Sequence, residues 1–406
     1  MLANTEGPTS LMCRFWRFLL NSLVLLIAGY WLLPGTQAHA QSENYQALGR
    51  RIVDLVRSHF YDAKRADAWA SLRSEYAAQA DSLVTFAALT KQALSELKTS
   101  HTDFYTPLEP EYYGLLSIFH EVLGAEPVEF EGIGVDFTPD HFVRVVFAGG
   151  PGDRAGLLRG DRVLMADGKD FDPVLSFRGN VSRPVILTVE KKAGELPVNL
   201  AVTPRKLDPK KEWLEAQRLG SRLIERQGKK IAYVPMFSCA GEEYFEALEE
   251  AVSEKYREAT ALILDFRDGW GGCNPQFLNL FNPLTPVQTY VDRNGTTRTG
   301  NQQWRKPLYL LINKGTRSGK EVVAFAVKKH KLGTLIGETT AGAVMGGRCF
   351  LLPGKYLLYI AELDDLIDGQ RLEGRGVPPD FEVATDLRYA DGLDPQLEKA
   401  LQLASK

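Results

Sequence analysis

From residue 231 onward the chain alternates short, largely apolar runs with segments of helical period. Residues 231–237, 261–266, 308–312 and 334–336 read as strands, and 242–255, 276–280 and 321–330 as the helices between them. Such alternation of strand and helix argues a layered architecture with a central sheet. That requires an α/β core, with chemistry placed at strand exits and helix starts. Upstream the texture differs. Apolar residues at helical spacing between 45 and 97, for example Leu48, Ile52, Leu55 and Val56, predict a helical N-terminal region. From about residue 129, short β-rich runs at 142–147, 163–166, 185–189 and 198–202 are separated by Gly, Pro and Asp turns, which predicts a compact β-rich module. A polar helical linker is expected over residues 207–227.

The extreme N-terminus carries Arg14 and Arg17, an apolar stretch over 18–33, a Pro34-Gly35 break and Ala38-His39-Ala40. This is the layout of a secretory signal peptide, with an uncleaved anchor as the competing reading. The expectation is cleavage before Gln41, no stable membrane anchor afterwards, and a periplasmic or extracellular enzyme. A net charge of -3 with dispersed charges offers no basic footprint for nucleic acid. Of the four cysteines, Cys13 precedes the apolar stretch, leaving Cys239, Cys273 and Cys349 for at most one internal disulfide, whose pairing the sequence leaves open. No cysteine or histidine spacing fits a metal site, and neither metal nor cofactor is expected.

One serine stands out within the core. Gly315-Thr316-Arg317-Ser318-Gly319-Lys320-Glu321 joins a strand to a helix. A hydroxyl there lies beside free backbone N–H groups and the positive end of the helix dipole, where an oxyanion would be stabilised. Ser318 is the candidate nucleophile. The same Ser318-x-x-Glu321 pattern is also a capping box, a purely structural device. Asp265 to Gly272 directly follows the apolar run Ala261 to Leu264, and Gly271, with Gly319, is placed to donate to an oxyanion. Ser100-His101-Thr102 ends the helical region, and Glu373 lies in a glycine-bracketed turn suited to orienting an imidazole. Each feature taken alone also reads as an ordinary turn, a solvated histidine or a surface charge. The lysines at 320, 328 and 329 are expected to face solvent.

Taken in order, residues 97–102, 265–272, 315–321, 337–342 and 373–380 resemble the carboxy-terminal processing, or tail-specific, serine proteases, a family that includes the tricorn branch. Gly132-Ile133-Gly134-Val135, residues 150–157 and Gly160-Asp161 resemble a permuted PDZ domain. Members with a serine–lysine dyad carry the lysine at the position of Ala343, so the chain is similar instead to the tricorn branch. The resemblance implies Ser318 as nucleophile, His101 as base, Ser100 as its orienter, Glu373 as acidic partner, and Gly271 and Gly319 at the oxyanion hole. It also implies that residues 132–135 bind the substrate terminus and that polypeptides are the substrates. The implied fold is a crotonase/ClpP-like α/β core at 207–406, a PDZ-like domain at 126–206, a helical region at 41–125 carrying the Ser-His motif, and a signal peptide at 1–40. Two rival expectations are a binding protein on the same fold and a PDZ scaffold with a decayed protease core.

Overall fold

The computed structural model describes residues 44–300 and 303–406, so the expected signal peptide lies outside the described residues. Residues Asn44–Lys406 form one compact unit. Its centre is a six-stranded sheet in the order Arg222–Arg226, Lys229–Pro235, Ala261–Asp265, Leu308–Ile312, Thr334–Gly337 and Phe381–Glu382. All neighbours pair parallel except the first two strands, which form an antiparallel hairpin. Every residue of Ala261–Asp265 is buried, as a strand covered on both faces must be. One face packs on Val323, Ala324 and Val327 of the helix Gly319–Lys329; the other packs on Ala400, Leu401 and Ala404 of the C-terminal helix Pro395–Ala404.

The linker departs from expectation. Pro209–Gly220 is helical, with Asp208 accepting from the Lys211 backbone N–H, but Arg222–Arg226 is the edge strand of the sheet. Gln227 and Gly228 both take positive φ (49° and 74°), the two-residue turn that reverses a right-twisted hairpin. The helix at Glu242–Glu250 ends in a π-turn at Ala251–Lys255.

The N-terminal region comprises three helices, Tyr45–His59, Ala63–Arg73 and Leu83–Ser95, capped in turn by the side chains of Asn44, Asp62 and Ser82. They bury Ile52, Val56 and Phe86 against Leu358 and Ile360 of a second, three-stranded antiparallel sheet. In that sheet Asp103–Tyr105 pairs with Leu357–Leu363, and so residues 100–102, which lead into it, are carried to the core. Residues 130–207 make a β-rich module around Val143, Val163, Phe177, Leu187 and Val189. Within it Val135–Phe137 pairs on one side only, with Val143–Val146, among the described residues. No helix among the described residues is long and apolar enough to cross a membrane.

Candidate active site

Ser318 is the residue before the helix Gly319–Lys329, at φ 57° and ψ −133°. A non-glycine residue there costs on the order of 1–3 kcal/mol. Two backbone bonds hold it: Ser318 N–H donates to Ala343 O at 2.7 Å, and Ser318 O accepts from Glu321 N–H at 2.8 Å. Its side chain makes no capping hydrogen bond, so the hydroxyl is not used to end the helix. Glu321, the other half of the capping-box pattern, is fully buried and turned to the loop at 340–343, accepting from Thr340 Oγ1 (2.5 Å), Gly342 N–H (2.7 Å) and Ala343 N–H (2.7 Å).

The strand exit at 265–272 is fixed by a separate set of bonds. Buried Arg267 is shared between Asp265 (2.6 Å) and Asp394 (2.7 Å), and Asn313 accepts from the backbone of both Asp268 (3.1 Å) and Gly315 (2.9 Å). Lys320 is not at the surface, as the sequence suggested, but wholly buried. Its ammonium donates to Met236 O (2.5 Å) and Asp268 O (2.8 Å), clamping two strand exits, and burial brings its pKa down to about 7. Lys328 is partly buried, donating to Pro378 O (2.7 Å) and pairing with Asp380 (2.9 Å).

Gly271 and Gly319 meet at the serine. A Cβ added to Gly271 would lie 2.5 Å from Ser318 Cβ and 3.0 Å from both Ser318 Oγ and Gly319 N. Gly319 opens the helix, where N–H groups have no intrahelical partner. The pair thus frames an unfilled space beside the hydroxyl. The loop carrying Gly271 is tied down by Cys239 N–H donating to Gly271 O (2.9 Å) and by a disulfide between Cys239 and Cys273, which leaves Cys349 free and buried.

His101, Ser100 and Glu373 form a hydrogen-bonded chain. Glu373 Oε1 accepts from Ser100 N–H (2.9 Å), and Oε2 accepts from Ser100 Oγ (3.0 Å) and from Val344 N–H (2.9 Å). Ser100 Oγ lies 2.7 Å from His101 Nδ1. Ser100 has one hydroxyl proton and gives it to a carboxylate that only accepts, so His101 Nδ1–H must be the donor to Ser100. That fixes the tautomer and leaves Nε2 with its lone pair. His101 is 3% exposed, beside the Tyr359 ring at 5.3 Å between centroids.

His101, Ser318, Gly271 and Gly319 line one cavity of about 530 Å³, together with Trp270 and Arg317. Residues 132–135 do not reach it; they line a second, smaller cavity of about 90 Å³, and Trp270 borders both. Nothing in the spacing of the sequence marked Arg317 or Tyr359 as neighbours of His101. Burial, and secondarily the charge of Arg317, pushes the imidazole down to about 3, far below the ordinary imidazole value of 6.5. Among the described residues no group of three His, Cys, Asp or Glu could hold a metal ion.

The family model for peptidase family S41 matches residues 230–383, the stretch holding Ser318, Gly271 and Glu373. Over that stretch the chain is similar to peptidase family S41. With the carboxyl-terminal-processing relative below, this match makes the chain a serine-type peptidase acting on polypeptides. It is 24% identical to the carboxyl-terminal-processing protease of Synechocystis sp., over 81% of this chain and 78% of that one. Its fold is similar to the crystal structure of the tricorn protease (TM-score 0.56, 19% identity), covering 90% of this chain but 37% of that much longer one. It is also similar to the photosystem II D1 C-terminal processing protease (TM-score 0.51, 20% identity), covering 89% and 97%.

One consequence concerns pH. A depressed pKa keeps the His101 imidazole neutral well below pH 6.5, so a general base at this position would put the acid limb of kcat/KM far below that value. Replacing Arg317 by Gln removes a charge that opposes protonation and should move the limb upward, though not fully, because burial is the larger cause. A wild-type limb near pH 6.5 that Arg317→Gln leaves in place contradicts this.

Proposed function

We propose that this peptidase is an exported endopeptidase working through a Ser318–His101–Ser100–Glu373 relay rather than a serine–lysine dyad. The observation that carries the reading is the hydrogen-bonded chain from Glu373 through Ser100 to His101 Nδ1, with His101 and Ser318 on the same cavity. Ser318 Oγ attacks the scissile carbonyl and gives its proton to His101 Nε2. The carbonyl oxygen becomes an oxyanion in the space between Gly271 and Gly319, taking their N–H groups. Imidazolium is costly in so buried a site, and the polarised Ser100–Glu373 pair offsets that cost. The proton then passes to the leaving amine, and water releases the acyl group by the reverse sequence. Ala343 at the dyad position supports the assignment, since it brings no ammonium.

Residues 126–206 act in this reading as a PDZ-like module on a crotonase-like core. Its loop at 132–135 captures substrate C-termini, and the unpaired edge of Val135–Phe137 accepts the peptide as an added strand. A signal peptide at 1–40 directs export. A serine-reactive phosphonate probe tests the chemistry. It should label the wild type and not Ser318→Ala of equal thermal stability; labelling that persists in Ser318→Ala moves the nucleophile elsewhere.

A further inference from the structure

The cavity beside residues 132–135 is apolar and aromatic, bordered by Phe130, Phe147, Phe177, Trp213 and Trp270, yet it holds one buried acid. Glu212, on the helix Pro209–Gly220, has a side chain 6% exposed. Its Oε1 has no hydrogen-bond partner, and a Cβ added to Gly134 would lie 2.7 Å from it. A carboxyl oxygen with no hydrogen bond, its nearest cation Arg205 at 3.6 Å, therefore abuts the middle of the loop whose N–H groups would hold a peptide's terminal carboxylate.

From this geometry we infer that Glu212 is a proton-gated specificity residue, admitting a free substrate C-terminus only when it is itself protonated. The inference rests on the tail-capture reading above and deepens it. Two carboxylates a few ångströms apart in an apolar pocket do not both ionise; one proton is shared between them. Neutral Glu212 donates its O–H to the incoming carboxylate, satisfying both groups, whereas ionised Glu212 repels it. Binding a free C-terminus from a solution in which Glu212 is ionised thus takes up one proton, and an amidated terminus takes up none.

Of the other charges facing Glu212, Arg205 offsets its charge in part, and burial outweighs it. Arg205 approaches Oε1 at 3.6 Å but stands equally close to Glu215. Asp136, on the strand that borders the cavity, accepts two bonds from Arg144 at 3.0 and 2.9 Å; burial raises its pKa and Arg144 opposes the rise. Glu111 is exposed at the rim. Burial raises the Glu212 pKa to about 7, with Arg205 opposing it, so the gate operates around neutrality. The sign for stability follows: a carboxyl raised from about 4.5 to about 7 stabilises the fold below the lower value and loses that contribution as pH rises through the upper one.

The test uses the full chain and a long flexible peptide ending in an apolar residue, as free acid and as amide. For the free acid, KM should rise about 10-fold per pH unit above about pH 7 and flatten below it; for the amide it should stay flat. Glu212→Gln, whose amide donates at every pH, should abolish the slope while retaining the free-acid preference. Independently of any variant, calorimetry on Ser318→Ala in buffers of different ionisation heat should detect uptake of about one proton per free-acid peptide at about pH 8. A free-acid preference that is flat with pH, or a slope that persists in Glu212→Gln, overturns the gate and leaves tail capture standing. Equal KM for acid and amide at about pH 6, where Glu212 is neutral, overturns tail capture itself and the gate with it.

Discussion

Replacing His101 by alanine should lower kcat/KM by at least about 10²-fold, with the loss in kcat. Among the described residues His101 is the only imidazole bordering the cavity that holds Ser318, and its Nδ1 side is committed to Ser100, so no other described imidazole can take its place. Glu373→Gln should fall short of that loss. The amide oxygen can still accept from Ser100 Oγ and Val344 N–H, but the NH2 group then faces Ser100 N–H, and a neutral partner no longer stabilises imidazolium. The lysine control needs care. Lys320 is buried against two carbonyls, so Lys320→Met leaves Met236 O and Asp268 O without their donor and lowers thermal stability. A fall in activity that tracks the melting temperature is the signature of that clamp. A base would instead change the pH profile of a protein that remains folded. If Lys320→Met removes the acid limb at unchanged stability while His101→Ala stays active, the relay is wrong.

The sheet was legible because its strands are covered twice. Ala261–Asp265 and Leu308–Ile312 contain almost nothing but apolar residues, and a run of that length between turn signals has few other uses. The edge hairpin was not. Arg-Leu-Ile-Glu-Arg at 222–226 keeps the polarity of the preceding helix, and the reversal depends on positive φ at Gln227 and Gly228, a weaker signal than Asn-Gly. The position of His101 was hidden for a different reason. It depends on Asp103–Tyr105 pairing with residues 357–359, a contact between distant parts of the chain that no local pattern announces. The serine turn, by contrast, was ambiguous only between two local readings. The capping box is not formed: Ser318 Oγ caps nothing, and Glu321 holds the loop at 340–343. The imidazole pKa was the furthest from expectation, since sequence shows neither the depth of burial nor the approach of Arg317.

Gly271→Ala should lower kcat by about 10²-fold or more, the scale of losing one oxyanion donor. The added methyl carbon would stand 2.5 Å from Ser318 Cβ, closer than any real contact, so one of the two backbones must move. Neither can move harmlessly. On the Gly271 side, the loop is held by Cys239 N–H on Gly271 O and by the disulfide at Cys273. On the other, Gly319 is wedged against Cys273, where its own added Cβ would be 2.4 Å from Cys273 O. Any displacement that relieves the methyl separates the two N–H groups, and an undisplaced methyl fills the space between Gly319 N and Ser318 Oγ. Gly272→Ala is the informative contrast. Gly272 has φ 91°, and its Cβ would meet Ala240 Cα at 2.7 Å, so the damage there begins with backbone strain and a clash away from the hydroxyl. Gly272→Ala should therefore lose melting temperature first, and Gly271→Ala should lose turnover first. Steady-state kinetics beside thermal denaturation of both variants decides it, and near-wild-type kcat in a well-folded Gly271→Ala removes residue 271 from the oxyanion hole.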